Sequence, residues 1–100
     1  MLTVSLVVKL TAKPGQEDEV AQFLTGAIDH ANAETGTPVW MALRTAPDTF
    51  WIVDAFAGPS ERQAHLDGPI AAALMANADR LLAAPPQIDL ADVLAIKVPA

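Results

Sequence analysis

The stretch VWMALRTAPDTFWIVDAF, Val39 to Phe56, decides the fold. Two runs of apolar, β-branched and aromatic residues flank Ala46-Pro47-Asp48-Thr49, a type I turn sequence with proline at its second position. The pattern predicts strands over Val39–Thr45 and Phe50–Phe56, joined as a hairpin. In the second strand Phe50, Ile52 and Phe56 share one face, with Trp51, Val53 and Ala55 on the other. In the first, Val39, Met41 and Leu43 stand against Trp40 and Ala42. A sheet with one solvated face would alternate apolar with polar residues. Here both faces are apolar, which predicts that the second face is an interface.

Upstream of the hairpin, Leu2, Val4, Leu6, Val8 and Leu10 alternate with Thr3, Ser5, Val7, Lys9 and Thr11, the period of a strand. Pro14-Gly15 ends it. Glu17, Asp18 and Glu19 then fall where a helix N-terminus favours negative charge. Val20, Phe23, Leu24, Ala27, Ile28 and Ala31 recur at helical spacing as one apolar stripe, and Gly36 and Pro38 close that helix. Downstream, Ser60-Glu61-Arg62-Gln63 has the form of a capping box. Gly68-Pro69 breaks this short helix and starts a longer one, from Ile70 to about Ala84. Leu90, Val93, Leu94, Ile96 and Val98 form a last strand. The order is β-α-β-β-α-β, a ferredoxin-like α+β sandwich. Right-handed crossovers put both helices on one face of a four-stranded antiparallel sheet.

Size and composition narrow the function. One hundred residues make one domain, 1–100, and 52% hydrophobic against 18% charged residues excludes a disordered chain. So apolar a small domain is expected to complete its core as a homodimer. With 12 acidic and 6 basic residues the net charge is −6, which opposes nucleic acid and anionic membranes as partners. Cysteine is absent, so thiolate chemistry and disulfides are excluded. The N-terminal strand lacks a basic n-region, and no apolar run reaches membrane-spanning length. A soluble cytoplasmic protein is the expectation. Two histidines, His30 and His65, stand 35 positions apart without a clustered carboxylate set, so no metal site is expected. No dinucleotide or phosphate loop and no nucleophile elbow occurs.

An acid at Asp54, an aromatic at Phe56 and a histidine at His65 follow one another at a fixed spacing. Together with AKPGQEDEV after the first strand, ETGT before the second, FWIVDAF and RQAHL, they resemble the antibiotic biosynthesis monooxygenase family. Asp54 stands where glutamate is more usual. The resemblance spans nearly the whole chain and implies a dimeric α+β barrel, two sheets packed face to face. It implies a pocket between sheet and helices in each subunit. Some members oxygenate polycyclic phenols or quinols without flavin, metal or haem; others degrade haem, isomerise substrates or have no known activity. Where haem-degrading relatives place their iron ligand this chain has Leu74-Met75, and it contains no tyrosine to serve as a phenolic acid or base.

Cofactor-free oxygenation asks for a base, a dry apolar pocket and a group that steadies negative charge. The expected assignment is His65 as base and Asp54 as its orienter. Trp40 and Phe56 would be walls for a small aromatic ligand, and Arg44 the anion stabiliser. Each has a plainer reading: a His–Asp tie between helix and sheet, core packing for the tryptophans, solvent for Arg44. Asn32 and Glu34 fall at the end of the first helix, His30 reads as a surface histidine, and Glu61 and Arg62 as solvated charges. The expected function is a cofactor-independent monooxygenase of a phenolic or quinol-type aromatic. A non-catalytic small-molecule-binding module and an isomerase of the same fold are the alternatives.

Overall fold

In the computed structural model, which describes residues 1–99, eight elements follow the expected order with two splits. They are β1 (Val4–Thr11), α1 (Glu17–Gly26), α2 (Ile28–Ala33), β2 (Val39–Ala46), β3 (Thr49–Phe56), α3 (Pro59–Leu66), α4 (Pro69–Leu81) and β4 (Gln87–Asp92). The sheet order is β2-β3-β1-β4, antiparallel throughout. This is the ferredoxin-like arrangement, with the two strands that open and close the chain side by side.

The central hairpin forms as its sequence requires. Thr45 is the extra residue: Arg44 pairs with Phe50 and Ala46 with Thr49, a register shift that lets a type I turn close the hairpin. No residue other than glycine needs a positive φ, and only Gly15, in the turn before α1, has one (+87°) among the described residues. The helix-facing sides of β1 and β3 supply the core, Val4, Leu6, Val8 and Leu10 with Phe50, Ile52 and Phe56. Val20 and Leu24 of α1 and Leu74 and Leu81 of α4 close over them.

Several boundaries differ from the sequence reading. The single apolar stripe is carried by two helices, because the chain turns at Ala27 immediately after Gly26, a poor helix former. The expected capping box is not formed. Pro59 takes the first position of α3, as its fixed φ favours, which places Ser60 inside the helix with no side-chain cap. Gln63 instead donates to Asp67 (3.0 Å). Helix α4 ends at Leu81, short of Ala84. The last strand is Gln87–Asp92, not the Leu90–Val98 run: Val93 N–H bonds Thr3 O (2.9 Å), and the chain beyond leaves the sheet. Leu94 is fully exposed there, and Ile96 and Val98 remain partly so. Among the described residues, no helix is long and apolar enough to cross a membrane.

Candidate functional site

Two regions on the helix-facing side of the sheet hold the residues singled out in the sequence. Alternation along β2 puts Trp40, Ala42 and Arg44 on that side, opposite Asp54, Ile52 and Phe50 of β3. Between this strand and helices α1 and α2 lies an apolar cavity of about 510 Å³, walled by Leu24, Ile28, Trp40, Ala42 and Phe50, with Arg44 at its edge. That is a size suited to a small organic ligand. Ala42 matters by being small, since it leaves floor space between the two long side chains.

Arg44 is held in place without being neutralised. Its Nη2 donates to Pro47 O (2.6 Å), and the guanidinium lies 4.8 Å from the Phe50 ring centroid. It makes no ion pair with any acid of the described residues. Arg44 is exposed, as the plainer reading expected, and a cation over an aromatic with spare N–H groups and no counter-ion can still take an anionic oxygen.

His65 sits elsewhere, on α3, with its ring between two carboxylates. Nδ1 is 3.0 and 3.1 Å from the two oxygens of Glu34, and Nε2 is 3.5 Å from Asp54 Oδ2. The ring tilts at 45° to Phe56, 5.4 Å between centroids, and both residues are buried. Asp54 is buried almost completely. Its Oδ1 accepts the Leu6 N–H (2.9 Å), its own carbonyl accepts the Ser5 hydroxyl, and its Oδ2 has no hydrogen-bond partner. Burial pushes the Asp54 carboxyl up from 3.8 to about 6. The Leu6 amide and His65 pull it back, Glu34 pushes it up further, and Arg62 pulls it down.

The structure therefore divides the expected site. Trp40 and Arg44 line the apolar cavity. His65 and Glu34 line a separate, more polar cavity of about 360 Å³ with Glu61, Thr35 and Thr37, and Phe56 packs inside the core. Glu34 is the member that the sequence placed only at the end of the first helix, with no role at His65. A Cβ on Gly68 would come within 3.3 Å of Glu34 Oε1, so the Gly68-Pro69 break also leaves room for the carboxylate. Arg62 is not a solvated charge either. Its Nη1 reaches Ser5 O on β1 and Ala91 O on β4 (3.4 and 3.3 Å), close enough to Asp54 to act on it. Asn32 and His30 are exposed, as expected of surface positions. Among the described residues no group of three or more acids and histidines is arranged to hold a metal ion. Glu34 and Asp54 face opposite edges of the His65 ring and do not converge on one point.

This architecture is shared with solved structures. The crystal structure of NE2512, a protein of unknown function from Nitrosomonas europaea, is 55% identical, with a TM-score of 0.98 over 100% of this chain and 97% of that one. The chain belongs to the family of NE2512, on the antibiotic biosynthesis monooxygenase fold. That fold is carried by a Nitrosomonas europaea protein named provisionally as an antibiotic biosynthesis monooxygenase, at 15% identity and a TM-score of 0.81 over 92% of this chain and 90% of that one. A Deinococcus radiodurans protein with the same provisional name is 18% identical, with a TM-score of 0.78 over 97% and 99%. No protein-family model and no curated protein sequence matches the chain. Against the NE2512 family, the resemblance read from Asp54, Phe56 and His65 holds at the level of the fold.

Proposed function

We propose that this protein binds a small aromatic with an acidic hydroxyl, of phenol or quinol type, in the cavity beneath α1 and α2, and oxygenates it without a cofactor. The observation that carries the reading is the cavity itself: about 510 Å³, apolar-walled, with an unpaired, pre-oriented Arg44 at its edge. In this reading the aromatic body lies over Ala42 against Phe50, and Arg44 stabilises negative charge on a ligand oxygen. The ligand's own anion supplies the electrons to dioxygen. For a quinol, one oxygen atom stays on the ring and the other leaves as water with two of the quinol's hydrogens, so no external reductant enters. The protein's part is to ionise the ligand and hold it.

A second reading is favoured by the placement of His65. Both ring nitrogens face carboxylates and the ring lies outside the ligand cavity, so the histidine is poorly placed as a base for a ligand there. A binding module of the same fold needs the cavity and Arg44 but no base. Aerobic and anaerobic incubation of a quinol panel with wild type and Arg44→Ala separates the readings. Oxygen-dependent product, reduced at least about tenfold in the variant, supports the oxygenase. Ligand binding weakened by the variant, with no oxygen consumed, leaves the binding module. Absence of binding overturns both.

A further inference from the structure

Among the described residues, two buried side-chain polar atoms lack a hydrogen-bond partner: Nε1 of Trp40 and Oδ2 of Asp54. One is a donor and the other an acceptor, and the two residues are direct partners in the β2–β3 register. Both side chains leave the helix-facing side of the sheet, where opposed Cβ atoms stand about 4.5–5.5 Å apart. Trp40 lines the ligand cavity, and Asp54 lies next to it on the side toward His65. Trp40 thus belongs to the cavity wall, while its register partner Asp54 stands outside that lining. A neighbouring donor and acceptor, both unmet, define the missing group. It must accept from an N–H and donate to a carboxylate oxygen, which the O–H of a water or of a ligand hydroxyl does and an ether, a carbonyl or an ammonium does not.

We propose that Trp40 and Asp54 form a hydroxyl-docking site at the inner end of the cavity, and that Asp54, not His65, is the base that takes the hydroxyl proton. The inference rests on the cavity being the ligand site. A shift of the indole edge admits the hydroxyl, whose oxygen accepts from Nε1 and whose hydrogen points to Oδ2. In the transfer the ligand O–H bond breaks and an O–H bond forms on Oδ2. The electron pair stays on the ligand oxygen, where the Trp40 N–H holds it. Burial makes this carboxylate a stronger base than an ordinary aspartate. His65 and Glu34 are then positioning residues: the ring, fixed by Glu34 on Nδ1, stands with Nε2 3.5 Å from the same Oδ2 and so sets where that oxygen points.

Calorimetric titration with 2-naphthol and its methyl ether, 2-methoxynaphthalene, tests this without requiring turnover. Wild type is expected to bind the naphthol at least about tenfold more tightly than the ether, because the ether leaves Oδ2 unmet. Asp54→Asn keeps the Oδ1 acceptor for Leu6 but turns an N–H toward the ligand, so the preference should fall to within about twofold. Trp40→Phe keeps an aromatic wall, removes the donor and should weaken naphthol binding about tenfold. His65→Gln should keep the preference while moving the pH at which naphthol binding is half-maximal. Circular dichroism melts verify that each variant is folded. Loss of the preference in His65→Gln but not in Asp54→Asn would overturn the assignment. Equal wild-type affinity for the two compounds would overturn the docking site and leave the cavity reading intact. Binding of neither compound would remove the cavity reading, and this inference with it.

Discussion

At the scale of single residues, Asp54 concentrates the tension in this fold. A carboxylate on a core strand beside Phe56 and Ile52 is costly to ionise, and what surrounds it only partly compensates. Burial pushes its carboxyl up to about 6, against the pull of the Leu6 amide, His65 and Arg62, while Glu34 adds to the push. Because the folded value lies above the unfolded 3.8, the native chain binds this proton first as pH falls. Stability from this group is therefore fully present below about 4 and is lost as pH rises through about 6. Asp54→Asn removes the ionisation and keeps an oxygen for the Leu6 N–H. Its melting temperature should be flatter than wild type between pH 4 and 6 and should exceed wild type by the widest margin above pH 7. An unchanged slope in the variant would assign the pH dependence to another group. The triplet Asp54, Phe56 and His65 was legible in the sequence as a spacing. Its wiring was not, because Glu34 arrives from a loop 31 residues before His65, and no local pattern encodes that contact.

At the scale of elements, the parts of the fold written in local chemistry were the legible ones. The hairpin turn, the acidic start of α1 and the Gly68-Pro69 restart all depend on residues within a few positions of one another. The misread boundaries share a different cause. Leu94, Ile96 and Val98 alternate like a strand, yet the β1–β4 ladder ends where Val4 meets Asp92, and after one more bond, Val93 N–H to Thr3 O, the chain leaves the sheet. Ser60 reads as a cap until Pro59 takes the first helical position ahead of it. Two glycines test how far such local rules reach, and their expected signs are opposite. Gly15 has φ of +87°, so Gly15→Ala should destabilise by about 1–2 kcal/mol even though a Cβ there meets nothing within 4 Å. Gly26 ends α1 in ordinary helical backbone with equally open surroundings, so Gly26→Ala should stabilise by about 0.5–1 kcal/mol. Urea unfolding of the two variants side by side measures both. Equal shifts would show that strain at the first turn is not what Gly15 relieves.

For the whole molecule, the sheet face away from the helices raises the question that the hairpin sequence posed. Val53 at its centre is flanked in register by Met41 on β2 and Val7 on β1, and Leu43 and Trp51 continue the patch toward the turn. Met41 and Leu43 are each 44% exposed. Trp51 is half-covered by Lys9, whose ammonium lies 5.7 Å from the ring, and its Nε1 donates to Thr45 (2.9 Å). Apolar residues at this density on an open sheet are poorly matched to water, and a second copy of the same face is the complementary surface closest at hand. A standard interface covers about 800 Å² per partner, a modest share of the 6011 Å² that one chain exposes. We propose on this basis that the chain pairs face to face as a homodimer. Sedimentation equilibrium should then give twice the chain mass of 10.5 kDa. Met41→Glu/Leu43→Glu places four carboxylates in the seam, two from each copy, where apolar contact would otherwise form. Both side chains are open in the single subunit, so the variant should stay folded yet sediment as a monomer, and its melting temperature should no longer rise with protein concentration. A wild type that sediments at the single-chain mass at every concentration would refute the dimer. The Trp40–Asp54 site would be unaffected by that result, because every residue that builds it comes from one chain and from the opposite face of the sheet.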